Sequence, residues 1–165
     1  IKLETKGPLF FVQKRNGLNY HEFDCYKFRS MNLNPAAHLE QVSKNDPRIT
    51  RVGRFLRKTS IDELPQFINV FLGQMSVVGP RPHMVSHTEM YAQRVNKFMV
   101  RHFVKPGITG LAQTKGYRGE VEKETDIINR VKYDIFYMEN WSILLDIKII
   151  FITIFNTIKG EDKAY

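Results

Sequence analysis

Cysteine occurs once, at Cys25, which excludes a disulfide framework and any thiolate metal cluster built within the chain. Acidic residues are scarce beside basic ones: 17 Asp+Glu against 25 Lys+Arg leave a formal net charge of +8. The isoelectric point near 9.6 predicts an anionic partner, whether nucleic acid, a phosphorylated ligand or an acidic membrane surface. The uncharged stretch Ile149 to Ile158 falls far short of the ~20 residues of a spanning helix. Internal repeats and low-complexity tracts are missing, and 10 Gly with 7 Pro exclude a fibrous repeat. With 42% hydrophobic and 25% charged residues the chain is not disordered, and 165 residues suit one domain with a real core. It begins at Ile1 rather than methionine and so reads as part of a longer protein.

The runs Pro8 to Arg15 and Phe23 to Met31, on either side of Asn16-Gly17, predict a β-hairpin. Asn34-Pro35 opens a short helix expected to end near Val42, and Ser43 to Pro47 reads as loop. Arg48, Arg51, Arg54 and Arg57 recur every third residue, a basic stripe on a helix. The strongest helical pattern is Ile61 to Leu72, with Ile61, Leu64, Phe67, Ile68, Phe71 and Leu72 on one apolar face. Ser60 suits its N-cap and Gly73 its C′ position. A long helix is expected from Met84 to Phe103, a glycine-punctuated loop from Gly107 to Gly119, and helices over Glu120 to Glu139 and from Ser142 to Lys159. The fold class expected is α+β: mostly helical, one domain, with an N-terminal hairpin and amphipathic helices, the last apolar around more than half its circumference.

Asp62-Glu63 is the pair that invites chemistry. Ser60-Ile61-Asp62-Glu63 matches a capping box, which by itself would account for both acids. Against that stands the density of cations on nearby loops and helix ends: Arg57, Lys58, Arg81 in the rigid Gly79-Pro80-Arg81-Pro82 turn, and Arg118. Two carboxylates among guanidiniums suit phosphoryl transfer, one attacking phosphorus and the other holding Mg²⁺. Helical first-turn N–H groups would add anion donors. Lys27 and Arg29 share a face of the second strand and serve either the site or strand-edge protection. His83 and His87 have i, i+4 spacing but no third ligand in view, so an ordinary structural role is the reading.

The sequence resembles the bacterial sugar transferase family, the monotopic phosphoglycosyl transferases of exopolysaccharide, capsule and O-antigen synthesis. The resemblance runs through Gly7-Pro8-Leu9-Phe10-Phe11, Tyr26 to Met31, Asp46 to Gly53, Arg57 to Gln66 (RKTSIDELPQ), Asn69 to Pro82 (NVFLGQMSVVGPRP), Val104 to Gln113, Tyr133-Asp134 and Asn140-Trp141-Ser142. These stretches cover nearly the whole chain in family order. The segment Gly116 to Glu120 and the ending Lys163-Ala164-Tyr165 are similar to the larger members, whose catalytic domain follows an unrelated N-terminal region.

The resemblance implies transfer of a sugar 1-phosphate from a UDP-sugar to undecaprenyl phosphate, with UMP released. Residues 1–165 would be the catalytic domain, preceded in the intact protein by a re-entrant membrane helix. Asp62 would be the nucleophile and Glu63 would hold Mg²⁺, the implied cofactor. Lys27, Arg29, Arg57, Arg81 and Arg118 would contact phosphate or uridine, and Asp134 would orient one of them. The implied partners are the UDP-sugar, undecaprenyl phosphate and the cytoplasmic face of the inner membrane, with homo-oligomerisation left open and nucleic acid excluded. Two other classes stay open on residue chemistry alone. A nucleic-acid module explains the charge but gives Asp62-Glu63 no task. A non-enzymatic peripheral membrane protein explains the last helix and the arginine stripe.

Overall fold

Two segments on either side of a glycine turn pair as strands: β1 (Phe10–Asn16) and β2 (Glu22–Phe28) form an antiparallel hairpin in the register Phe10 to Phe28 and Asn16 to Glu22. The computed structural model describes residues 1–34, 46–119, 121 and 123–160. The helix expected from Asn34-Pro35 to Val42 and the start of the loop after it lie outside the described residues. The helices are α1 (Arg51–Lys58), α2 (Gln66–Phe71), α3 (Val85–Arg94), the single turn α4 (Leu111–Thr114), α5 (Glu124–Glu139) and α6 (Ile143–Lys159). Two short strands, β3 (Ser76–Val78) and β4 (Gly107–Thr109), pair in parallel. The class is the α+β one expected.

Two expected helices are broken. The stretch Met84 to Phe103 divides into α3 and a 3₁₀ segment, Phe98–Phe103: Val95 leaves the helix in an extended conformation and Lys97 adopts φ +60° before the second segment. This turn lets Phe98 fold back with Tyr91 and Val95 onto Ile127 and Val131 of α5, the largest apolar cluster. The stretch Ile61 to Leu72 divides into a 3₁₀ turn, Ile61–Glu63, and α2, with Pro65 as the N-cap of α2.

The apolar face of α2 is turned outward. Leu64, Phe67, Ile68, Phe71 and Leu72 are exposed, while Asp62, Glu63, Gln66 and Asn69 are buried. A two-stranded hairpin leaves one edge of β2 without a ladder partner, and buried backbone groups need one. Asn69 supplies it: its Oδ1 accepts from Tyr26 N at 3.1 Å and its Nδ2 donates to Asp24 O at 2.7 Å. The polar side of α2 therefore faces the hairpin.

Where the periodicity and caps are local, expectation and structure agree. Ser142 Oγ accepts from Leu145 N at the start of α6, and Gly73, at φ +75°, ends α2. Gly53 matters for the site, since a Cβ there would collide with the Ser30 carbonyl. Its absence lets α1 lie against Ser30, so that Arg57 enters the space beneath the hairpin.

Candidate active site

The 3₁₀ turn Ile61–Glu63 is the floor of a cleft of about 570 Å³ roofed by the hairpin. Ser60 enters the turn at φ +56°, a left-handed conformation that L residues adopt at a cost. The capping box does not form. Ser60 Oγ accepts instead from Arg118 Nη1 at 2.8 Å, and the N–H groups of Glu63 and Leu64 are engaged by Ser60 O and Ile61 O. Two of the donors expected to greet an anion are thus already in use, and side chains carry most of the positive charge of the cleft.

Glu63 is the hub of those side chains. Its Oε1 accepts from Lys27 Nζ at 2.9 Å and from Arg81 Nη2 at 2.6 Å; its Oε2 accepts from Arg118 Nη2 at 3.0 Å and Arg81 Nη1 at 3.3 Å. Burial pulls its carboxyl upward, but Arg81, Lys27 and Arg118 together outweigh this and hold it well below the usual carboxylate range. A carboxylate offers about four lone-pair sites, and four N–H donors occupy them here. Glu63 as a Mg²⁺ ligand therefore does not fit this arrangement, because a metal would have to displace one of the three cations. Among the described residues no group of three or more His, Cys, Asp and Glu side chains is placed to hold a metal.

Asp62 is equally buried yet differently placed. It has no hydrogen bond or ion pair among the described residues, and burial followed by the Glu63 charge raises its pKa; Lys27, Arg57 and Arg118 pull the other way. It is a desolvated anion held beside a positive field without being neutralised by contact, which is what a nucleophile toward phosphorus requires.

Of the other residues singled out in the sequence, Lys27, Arg57, Arg81 and Arg118 all line this cleft. Arg57 reaches Ser30 Oγ with Nη1 at 3.4 Å. Arg29 lines the cleft too, but its donors are engaged by the Pro8 carbonyl and by Thr5. Of the arginine stripe, Arg48 precedes α1 and pairs with Asp46, while Arg51 and Arg54 face solvent. Asp134 stands behind the cleft wall, not in it. Its Oδ2 pairs with Arg101 at 2.7 Å, and Arg101 Nη2 donates to the Arg81 carbonyl at 2.7 Å. Both are almost fully buried. Arg101 was not legible as a site residue: a basic position after a helix break carries no local sign of a contact 20 residues back.

The family described as bacterial sugar transferase matches residues 1–160. Three known proteins named UDP-glucose:undecaprenyl-phosphate glucose-1-phosphate transferase are similar to the chain. One from Klebsiella pneumoniae is 53% identical over 94% of the chain, one from Escherichia coli K12 is 50% identical over 94%, and one from Xanthomonas campestris is 47% identical over all of it. In each case the chain spans 34% of the relative's length, about a third.

Proposed function

The chain belongs to the bacterial sugar transferase family, and we propose that it carries the catalytic centre of a phosphoglycosyl transferase that moves a sugar 1-phosphate from a UDP-sugar to a polyprenyl phosphate. One observation carries the reading: the unpaired, buried Asp62 carboxylate beside a Glu63 that gathers Lys27, Arg81 and Arg118 in one cleft. Asp62 attacks the sugar-linked phosphorus. The bond from that phosphorus to the bridging oxygen breaks, and UMP leaves with the electron pair. An oxygen of undecaprenyl phosphate then attacks the same phosphorus, the acyl-phosphate bond breaks, and the Asp62 carboxylate is regenerated. Each step joins anions, and the four cations around the dyad lower that repulsion. Glu63 keeps the cations in place and keeps them from pairing with Asp62.

The exposed apolar side of α2 supports a further part of the reading. Leu64 and Phe67 share a crevice with Thr153 of α6. Phe71 on α2 and Phe151, Phe155 and Ile158 on one face of α6 are exposed as well. No helix among the described residues is long and apolar enough to cross a membrane. The surface suits docking on the cytoplasmic leaflet, where a basic protein and a polyprenyl carrier would meet. Mg²⁺ dependence is part of the same proposal, without Glu63 as its ligand, and chelation tests it.

UDP-glucose is the donor to try first, given the relatives' names. Full-length protein given labelled UMP and UDP-glucose, with no polyprenyl phosphate, should exchange label into the UDP-sugar. It should also gain a hydroxylamine-sensitive adduct of sugar-phosphate mass on the peptide containing Asp62. Exchange without any adduct at Asp62 would overturn the covalent route.

A further inference from the structure

The cations lining the cleft differ in what they are tied to. Lys27, Arg81 and Arg118 are held by Glu63, Arg48 by Asp46, and Arg29 by Pro8 and Thr5. Arg15 and Arg130 also line the cleft, and neither pairs with a carboxylate among the described residues. Arg15 donates to the Pro82 carbonyl at 3.2 Å and to Gln13 Oε1 at 2.6 Å; Arg130 donates to the Gly119 carbonyl at 2.9 Å. The Nε–H of each is buried without an acceptor. His83, on the same wall, is 7% exposed, and its Nε2 is likewise buried without a partner.

Asp134 acts on Arg130 and Glu63 on Arg15 from beyond contact distance, so neither guanidinium has an anion against it among the described residues, and burying a charge without such a contact is costly. Burial lowers both guanidinium pKa values to about 10, so both stay charged at neutral pH. Burial, with Arg101, Arg130 and Arg15 nearby, keeps His83 neutral, so it adds a hydrogen bond rather than a third charge. The placement is specific. Arg15 is anchored on Pro82, next to Arg81, and Arg130 on Gly119, next to Arg118. Each is one residue away from a cation that grips Glu63.

Resting on the function proposed above, we propose that Arg15 and Arg130, with His83 beside them, form the seat of the donor's second phosphate, the one that departs with the nucleoside. When Asp62 attacks, the bridging oxygen keeps the electron pair of the broken bond, so one further negative charge gathers on this phosphate. Two guanidiniums there, that of Arg130 buried and that of Arg15 half-buried, stabilise the leaving group as its charge develops.

The test uses the full-length protein and UMP as probe. Titration calorimetry of UMP against wild type and Arg15→Gln should show binding weakened by about tenfold or more, the loss of a charge-assisted contact. Arg15→Lys should recover part of it. Exchange of labelled UMP into UDP-glucose should slow more than discharge of the Asp62 adduct by polyprenyl phosphate. Arg130→Gln should behave like Arg15→Gln; should it fail to fold, the partly exposed Arg15 pair of variants decides the matter. Wild-type UMP affinity in Arg15→Gln overturns the seat, and a loss confined to discharge overturns it in favour of the acceptor's phosphate. A wild-type protein that binds UMP but exchanges none overturns the transferase reading and leaves the seat standing.

Discussion

Arg81 holds Glu63 with both arms of its guanidinium, Nη2 on Oε1 at 2.6 Å and Nη1 on Oε2 at 3.3 Å. Charge alone does not provide this fork, because lysine offers a single point charge. Arg81→Lys should therefore cost roughly 1–3 kcal/mol of stability and slow UMP exchange, although the net charge is unchanged. Denaturant melts and the exchange assay check it, and wild-type exchange in the variant would contradict the role given to the fork.

Asp62 is the opposite case, an anion whose ionisation the fold resists. Its folded pKa is raised, so the stability it lends is complete below its ordinary pKa and lost as pH rises through the folded value. Above that folded value the contribution is gone. Asp62→Asn should melt at or above the wild-type temperature while adduct and exchange vanish. A clear drop in melting temperature would mean that the carboxylate is structural.

Glu63 has the reverse sign. Its folded pKa is held well below 4.5, so its contribution is present above pH 4.5 and is lost as pH falls through the lowered folded value. Glu63→Gln leaves three buried cations without their shared anion and should cost about 3 kcal/mol at neutral pH. The difference between wild type and variant should shrink on acidification below 4.5. A difference that persists at low pH would contradict this pairing.

Asp134 reaches the cleft through Arg101, which donates to the Arg81 carbonyl, and its charge also bears on Arg130. Asp134→Asn leaves Arg101 buried and unpaired, for a cost of about 3 kcal/mol, whereas Asp134→Leu with Arg101→Met should recover most of that. The double variant should still show an altered KM for the UDP-sugar, because the Arg81 loop has lost its anchor. Wild-type kinetics in that variant would make the pair purely structural.

Phe71 and Leu72 are 92% and 57% exposed. Replacing both with Ser should change stability by no more than about 0.5 kcal/mol. Co-sedimentation with anionic vesicles should nevertheless fall. Unchanged vesicle binding would remove α2 from the docking surface and leave α6 alone.

The residues themselves determined what local physics controls. Ser142 and the period of Ile143 to Lys159 produce α6, the turn after Asn16 produces the hairpin, and Gly73 ends α2, since caps and turns act within about four residues. The surplus of base and the Asp62-Glu63 pair among arginines were likewise visible in the linear order, as were the motifs that place the chain in its family. Only the tertiary structure decided the direction of the segment Ile61 to Leu72. Periodicity defines an apolar face but not what it meets, and the unpaired edge of β2 claimed Asn69, turning the apolar side outward. The charges follow the same rule. Lys27, Arg81 and Arg118 lie 36, 18 and 55 residues from Glu63, and no spacing in the chain distinguishes them from Arg29 or Arg48, which the fold engages elsewhere. Burial and ion pairing depend on which distant surfaces close on one another, and that is settled only when the hairpin roofs the cleft.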